Sequence, residues 1–453
     1  MGTTAELKEL HLTSFKGFEE QTLPLADTTL LIGRNSTGKS NALDALDALS
    51  RLAGGEFIND ALDGRRREGG AIRGGSVGLV PHGEESFTLG CLVEMDGDDH
   101  RYILKIGVSH EGECRILSEE LIGPALPSSG REWEANRQLF KAHSCQKERT
   151  GSLEAYYHNG KQGNNPKTLF ADNRLVLTQF IDRFQYSDEL GVRSAVEGAA
   201  AVRQALLSVF HLDPVPYLMR DYVREHPRYM ERTGENISAV LLALSKQDPA
   251  TFNHIQKLVG EIVDDGITGI NFVKTELNEV MLALQEKEFQ TPAREMSDGL
   301  LRFLAIAATL LPASESLDIK AGTVQKVWGE NNVVQGAALT VIEELENGVH
   351  PSQASRLLHL VEESGKRPNF KVLATTHSPA LLDAAEGRLN ESIVVCYRDP
   401  DTGKSLLKPL VDFPDFEQVL ASKTLGKAVV ADEFRDAETS QPDYSALNDL
   451  LGI

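Results

Sequence analysis

Between Leu7 and Glu19 apolar and polar residues alternate (LKELHLTSFKGFE), and after a turn the uninterrupted run TLLIG follows. The alternation predicts a strand with one covered face, and the apolar run predicts a second, buried strand. Directly beyond it, NALDALDALSRLAG brings Leu43, Leu46 and Leu49 to helical spacing, so the string GRNSTGKS joins a buried strand to a helix. From about Gly74 to Ile122, SFTLGCLVEM and RYILKIGVS flank the turn residues DGDD, the pattern of antiparallel strands in a β-rich subdomain. The stretch from about 125 to 170 is polar and turn-rich, which predicts loops.

The pattern then becomes helical between about 188 and 263, where Asp248 is placed to cap a helix that Pro249 begins. Phe252, Ile255, Leu258, Val259 and Ile262 would line its core face. INFVK and EVMLALQEKEF return to strand patterns, REMSDGLLRFLAIAATLLP reads as a short loop opening an apolar helix, and ESLDIKAGTVQKVWGENN reads as a polar surface excursion. In ALTVIEELENGVHP and KVLATTHSP, apolar strands end in polar residues, with the helix SQASRLLHLVEES between them. Strand, helix, strand is the crossover of a parallel sheet, where ligands gather at the carboxyl ends of the strands. The expected fold class is α/β: a first lobe over 1–125 that carries GRNSTGKS and the β-rich subdomain, a loop-rich and helical insertion over 126–270, and a second lobe over 271–453.

Composition narrows the function classes. With 453 residues, 41% hydrophobic and 25% charged, the chain has core material for several structural units and no run near the ~20 apolar residues of a bilayer helix. No signal-peptide pattern opens it, so the expected compartment is the cytoplasm, without a membrane. Cys91, Cys114, Cys145 and Cys396 lie far apart and lack CxxC spacing, which suggests reduced thiols. The 46 Lys and Arg against 67 Asp and Glu leave a net charge of −21, the wrong sign for a protein that coats nucleic acid over its whole surface. A local contact stays open at Arg65, Arg66, Arg67 and Arg73, a cluster that reads equally as a solvated loop.

Gly33 to Ser40 fit GxxxxGK[ST] in full. Its glycines let the backbone wrap a phosphate with N–H groups inward, Lys39 reaches the β and γ phosphates, and the Ser40 hydroxyl can ligate Mg²⁺. In TVIEELENGVHP, Glu343 and Glu344 follow an apolar strand, one placed to hold Mg²⁺ and the next to orient or deprotonate a water. His377 follows the second strand similarly, in reach of a γ-phosphate or the attacking water. Ser297, Asp298 and Gly299 precede an apolar helix, which makes that helix N-terminus an anion site or simply a capped end.

GRNSTGKS, MSDGLLR, VIEELENGVHP and ATTHSP, in this order and split by a long insertion, resemble the ABC-type ATPase heads of the SMC, RecF and OLD group. The resemblance implies an ABC/RecF-like head, with a P-loop mixed sheet, flanking helices, an antiparallel β subdomain and a helical insertion. By it, Gly33, Asn35, Ser36, Thr37, Gly38, Lys39, Ser40 and Asn41 form the Walker A site for ATP. Ser297, Asp298 and Gly299 form the signature that meets the γ-phosphate held by another subunit. Glu343 becomes the Walker B carboxylate and, with Ser40, the Mg²⁺ ligand, Glu344 the catalytic base, Asn347 to Pro351 the D-loop region and His377 the switch histidine. Glu343 stands where many relatives have Asp, and Gln179 in LVLTQF is the candidate Q-loop glutamine.

The middle section lacks the length and heptads of a chromosome-scale SMC protein. OLD-type nucleases carry a further TOPRIM domain of ~100 residues or more, whereas here the chain runs from His377 only to Ile453. Asp399 and Asp401 in YRDPDTGKS read as a hairpin turn rather than a metal site. The expected function is an ATPase of a bacterial anti-phage system. Its dimerisation, or higher oligomerisation, through the heads would gate a separately encoded effector such as a TOPRIM-type nuclease. The alternative is a DNA-binding ATPase of repair or recombination.

Overall fold

In a computed structural model the described residues are 3–64, 70–125, 134–144, 151–161, 164–225, 229–262, 267–287, 289–311, 325–326, 333–348, 350, 353–431 and 433–434. Arg65, Arg66, Arg67 and Cys145 lie outside them, as does nearly all of the polar excursion before Val333.

The strand Thr28–Ile32 lies within a six-stranded sheet and pairs in parallel with Phe370–Thr376 on one side and Ile393–Arg398 on the other. Beyond Phe370–Thr376 come Ala338–Ile342 and Val209–Leu212, also parallel, and Ser405–Pro409 closes the opposite edge antiparallel. Every residue of Thr28–Ile32, Ala338–Ile342 and Phe370–Thr376 is buried, because both faces of this sheet are covered. Alternation then feeds two cores: Leu31 and Val341 enter one, with the helix Lys39–Ala53, while Leu30, Ile32 and Ile342 enter the other, with the helices Asp298–Leu310 and Ala354–Gly365. Adjacent parallel strands therefore deliver Gly33, Glu343 and His377 to one rim.

The alternating opening forms the strand Thr3–Phe15 within a ten-stranded, mainly antiparallel sheet. Ser86–Met95 and Asp98–Val108 follow as the expected hairpin, then Cys114–Ala125. The loop expectation for 125–170 is corrected here: Glu134–Ser144, Ser152–Tyr157 and Lys167–Ala171 extend the same sheet to its edge. Their buried side chains, Leu139, Phe140, Ala142, Leu153 and Ala155, are interleaved with exposed polar ones, so the apolar signal is diluted. The expected helix Pro249–Ile262 is present, with the Asp248 carboxylate accepting from Thr251 N–H at 3.1 Å. Lys371, buried in the six-stranded sheet, ties it to the first strand through Glu6 at 2.5 Å and the Leu7 carbonyl, and donates as well to the Leu25 carbonyl. Among the described residues no helix is long and apolar enough to cross a membrane.

A fully buried carboxylate anchors the β-rich part. Glu119 accepts from Val176 and Leu177 N–H, both at 2.6 Å, at the start of the helix Val176–Phe184, and from the Tyr102 hydroxyl at 2.9 Å. Glu119→Ala strands three buried donors at ~1–3 kcal/mol each, so urea unfolding should reveal a loss of about 3 kcal/mol or more. Burial pushes the Glu119 carboxyl up to about 7, against the three donors. Because the folded value exceeds the unfolded one, this group's stabilisation is complete below about 4.5 and is lost as pH rises through about 7. The alanine variant should lack that slope.

Candidate functional site

The phosphate loop leaves the strand Thr28–Ile32 through Gly33, whose φ is 146° and whose absent Cβ would fall 2.1 Å from the Cys396 carbonyl oxygen. Ser36 at φ 68° and Gly38 at φ 120° complete the wrap, after which Lys39 starts the helix. The neighbouring strand braces the loop, with Arg398 Nε donating to the Ser36 carbonyl at 2.9 Å and the Cys396 thiol to that of Thr37 at 3.5 Å. Asn35 and Ser36 form an exposed tip, Thr37 Oγ1 donates back to the Arg34 carbonyl, and Asn41 is half-buried in the first helical turn. Lys39 Nζ is drawn inward, donating to the carbonyls of Gly33 at 2.6 Å and Arg34 at 2.9 Å. Burial lowers the pKa of this ammonium, and the carboxylates of Glu346, Glu344 and Glu343 work in the opposite direction.

Ser40, one residue along, faces the acidic strand end. Its hydroxyl donates to Glu343 Oε1 at 2.5 Å, across 303 residues of sequence. Arg73 Nη1 donates to the same oxygen at 2.9 Å, while Arg73 Nε reaches Asp44 Oδ1 at 2.9 Å. Burial pushes the Glu343 carboxyl up, but the hydrogen bonds from Arg73 and Ser40 outweigh it and hold it below the usual range. A hydroxyl and a carboxylate oxygen converging this closely form a hard, all-oxygen pair that fits Mg²⁺ with phosphate and water completing its shell.

Glu344 has φ 51°, a turned backbone fixed by its own N–H donating to Thr375 Oγ1 at 2.9 Å. Its side chain is exposed, with Asn347 Nδ2 donating to Oε2 at 3.3 Å. His377 is joined to Glu346, whose Oε1 accepts the His377 backbone N–H at 2.7 Å and lies 3.0 Å from Nδ1. Ser297 caps the helix Asp298–Leu310, its hydroxyl accepting from Leu300 N–H at 3.3 Å. Asp298 pairs with Arg220 at 2.6 Å, and a Cβ on Gly299 would fall 1.7 Å from the Gly348 carbonyl oxygen. This helix start therefore abuts the loop after Glu344, and its side-chain hydrogen bonds run to Leu300 and Arg220 rather than to the phosphate loop. Val349 and Pro351 of the expected D-loop lie outside the described residues.

Gln179 does not reach this rim through its amide, which is occupied by the backbone of Ala171, Arg174 and Leu175 and closes the turn before its own helix. It also lines an open hollow of about 580 Å³ with Phe170 and Arg183, in which no phosphate-loop residue takes part. The sequence reading missed Glu346, Asp44, Thr375 and Arg398. Each looks like an ordinary strand-end or helix residue until the strands are set side by side.

Residues 28–383 match the family described as "AAA domain, putative AbiEii toxin, Type IV TA system". The chain belongs to this AAA family. It is thus of the P-loop, nucleotide-binding ATPase type, in agreement with the resemblance to RecF- and SMC-like heads. A stretch of 47 residues is 47% identical to the DNA replication and repair protein RecF of Crocosphaera subtropica (strain ATCC 51142 / BH68), covering 10% of this chain and 12% of that protein. Among solved structures, the Smc head bound to the C-winged helix domain of ScpA aligns over 89% of this chain and 97% of its own, with a TM-score of 0.47 and 11% identity. The recombination mediator protein RecF with ATP aligns over 82% and 93%, with a TM-score of 0.31 and 13% identity. Family membership rests on the sequence match over 28–383.

Proposed function

We propose that this chain binds and hydrolyses ATP at Gly33–Asn41, and that nucleotide-driven pairing of two heads gates a separately encoded effector in a bacterial defence system. The contact between Ser40 and Glu343 carries the reading, because it sets the phosphate-loop helix against an acidic strand end. Ser40 and Glu343 would hold Mg²⁺, which when bound neutralises developing phosphate charge. Lys39 would leave the loop carbonyls for the phosphates, and Glu344 would take the proton of the attacking water. His377, oriented by Glu346, would hydrogen-bond the γ-phosphate. Ser297 and Gly299, at a helix start that abuts Gly348, would serve the nucleotide of a partner head.

The family's description as a toxin–antitoxin component supports a two-component arrangement with a second protein. A second reading, a DNA-binding ATPase of repair, draws on the local identity to RecF. Capture of partners by the nucleotide-trapped protein separates the two: a co-encoded effector supports the first, and duplex DNA retained at physiological salt supports the second.

Nucleotide titration tests the site itself. Lys39→Ala deletes a charge-assisted contact, so the Kd for ATP should rise roughly 10- to 100-fold while the melting temperature stays near that of the wild type. Unchanged affinity would remove the phosphate loop from the proposal.

A further inference from the structure

We propose that Arg73 is an intramolecular cation standing at the metal ligands, one that a dication arriving with the nucleotide must displace. The inference rests on the reading of Ser40 and Glu343 as the metal pair. Arg73 Nη1 and the Ser40 hydroxyl both donate to Glu343 Oε1, at 2.9 and 2.5 Å, and Arg73 Nη2 donates to the Ser40 backbone carbonyl at 3.2 Å. The guanidinium thus touches both residues that would hold the metal.

A dication using the Ser40 hydroxyl must turn that O–H away from Glu343 and take a share of the carboxylate. It would then stand within a few ångströms of a full positive charge, with like charges competing for one oxygen. Arg73 can yield because its side chain is 51% exposed and has solvent to swing into. Its backbone need not follow: Lys16 Nζ donates to the Arg73 carbonyl at 2.9 Å and to Asp44 Oδ2 at 2.6 Å. Asp44, buried and shared between Lys16 and Arg73 Nε, is the anchor on which the guanidinium can remain after releasing Glu343. The exchange gives the site a threshold. Glu343 stays neutralised without metal, and metal binding costs the Arg73 contacts.

The test titrates Mg²⁺ into the full chain with a fluorescent ADP, alongside ADP binding in EDTA, for wild type, Arg73→Ala and Arg73→Lys. Arg73→Ala should lower the Mg²⁺ concentration for half-saturation roughly two- to fivefold, the scale of a partly exposed charge interaction, and leave ADP affinity in EDTA unchanged. Arg73→Lys keeps a cation and should lie close to wild type. Should the alanine variant instead bind ADP more weakly in EDTA, Arg73 is a phosphate ligand and the exchange is wrong. An unchanged Mg²⁺ requirement in a variant that melts like wild type overturns it equally, and if Arg73→Ala misfolds, Arg73→Gln takes its place. Wild-type protein that binds no ADP would bring down the ATP site together with this inference, whereas normal wild-type binding with no gain in the variants brings down this inference alone.

Discussion

Glu344→Gln protein is expected to bind ATP with wild-type affinity and to hydrolyse it about 10²- to 10⁴-fold more slowly. The amide is nearly isosteric with the carboxylate and can still accept from Asn347, but it cannot take a proton from water. The proposed role falls to Glu344 because its neighbours are engaged. Glu343 is already engaged by Ser40 and Arg73, and Glu346 by His377, whereas Glu344 points from a turned backbone into the open with only a 3.3 Å contact to Asn347. Thr375 fixes the turn, since its hydroxyl accepts from Glu344 N–H and its carbonyl from Leu345 N–H, both at 2.9 Å. If a second head must cover a carboxylate this exposed before attack, single-turnover rates should climb with protein concentration in the wild type. Single-turnover measurement in the presence of Mg²⁺ separates loss of chemistry from loss of binding. If Glu343→Gln proves to be the variant that binds and stalls, the roles of the two glutamates are exchanged.

The elements around the site were legible because their signals are local. TLLIG is apolar throughout because both faces of its sheet are covered, and the glycines of GRNSTGKS are required by backbone angles within the same eight residues. The strands over 134–171 were not legible. Each buries only one to three apolar side chains under helices that arrive later in the chain, Val176–Phe184 and Leu190–Leu207, and shows polar ones elsewhere. The site divides in the same way. Lys39 and Ser40 announce themselves by the phosphate-loop motif at a helix start, and Glu343 and His377 by standing at strand ends, but the partner of Arg73 lies 270 residues along the chain and that of Glu346 lies 31 residues away, across a crossover. Gln179 shows the converse, a residue in a promising local string whose amide the fold spends on closing a turn.

Lys39→Ala and Ser297→Arg proteins should each be inactive alone and regain activity when mixed. Within one chain the start of the helix Asp298–Leu310 is seated against Gly348, with no room for even a Cβ at Gly299, while Lys39 sits on the carbonyls of its own loop. If Ser297 acts as the resemblance to ABC-type heads implies, its phosphate is one bound by a second copy, and twofold pairing of heads creates two composite sites. A mixed dimer places the intact loop of the Ser297→Arg chain opposite the intact signature of the Lys39→Ala chain, which makes one complete site and one doubly defective site. Half of a random mixture is mixed dimer, so ATP turnover should return to roughly a quarter of the wild-type value, provided each site works independently. Mass measurement must first show that mixed dimers form. The arginine also removes a helix cap worth about 1 kcal/mol, so thermal melting must show that Ser297→Arg stays folded. Mixed dimers that form, remain folded and stay silent would leave Ser297 as the cap of its own helix, the role its 3.3 Å contact with Leu300 already fills.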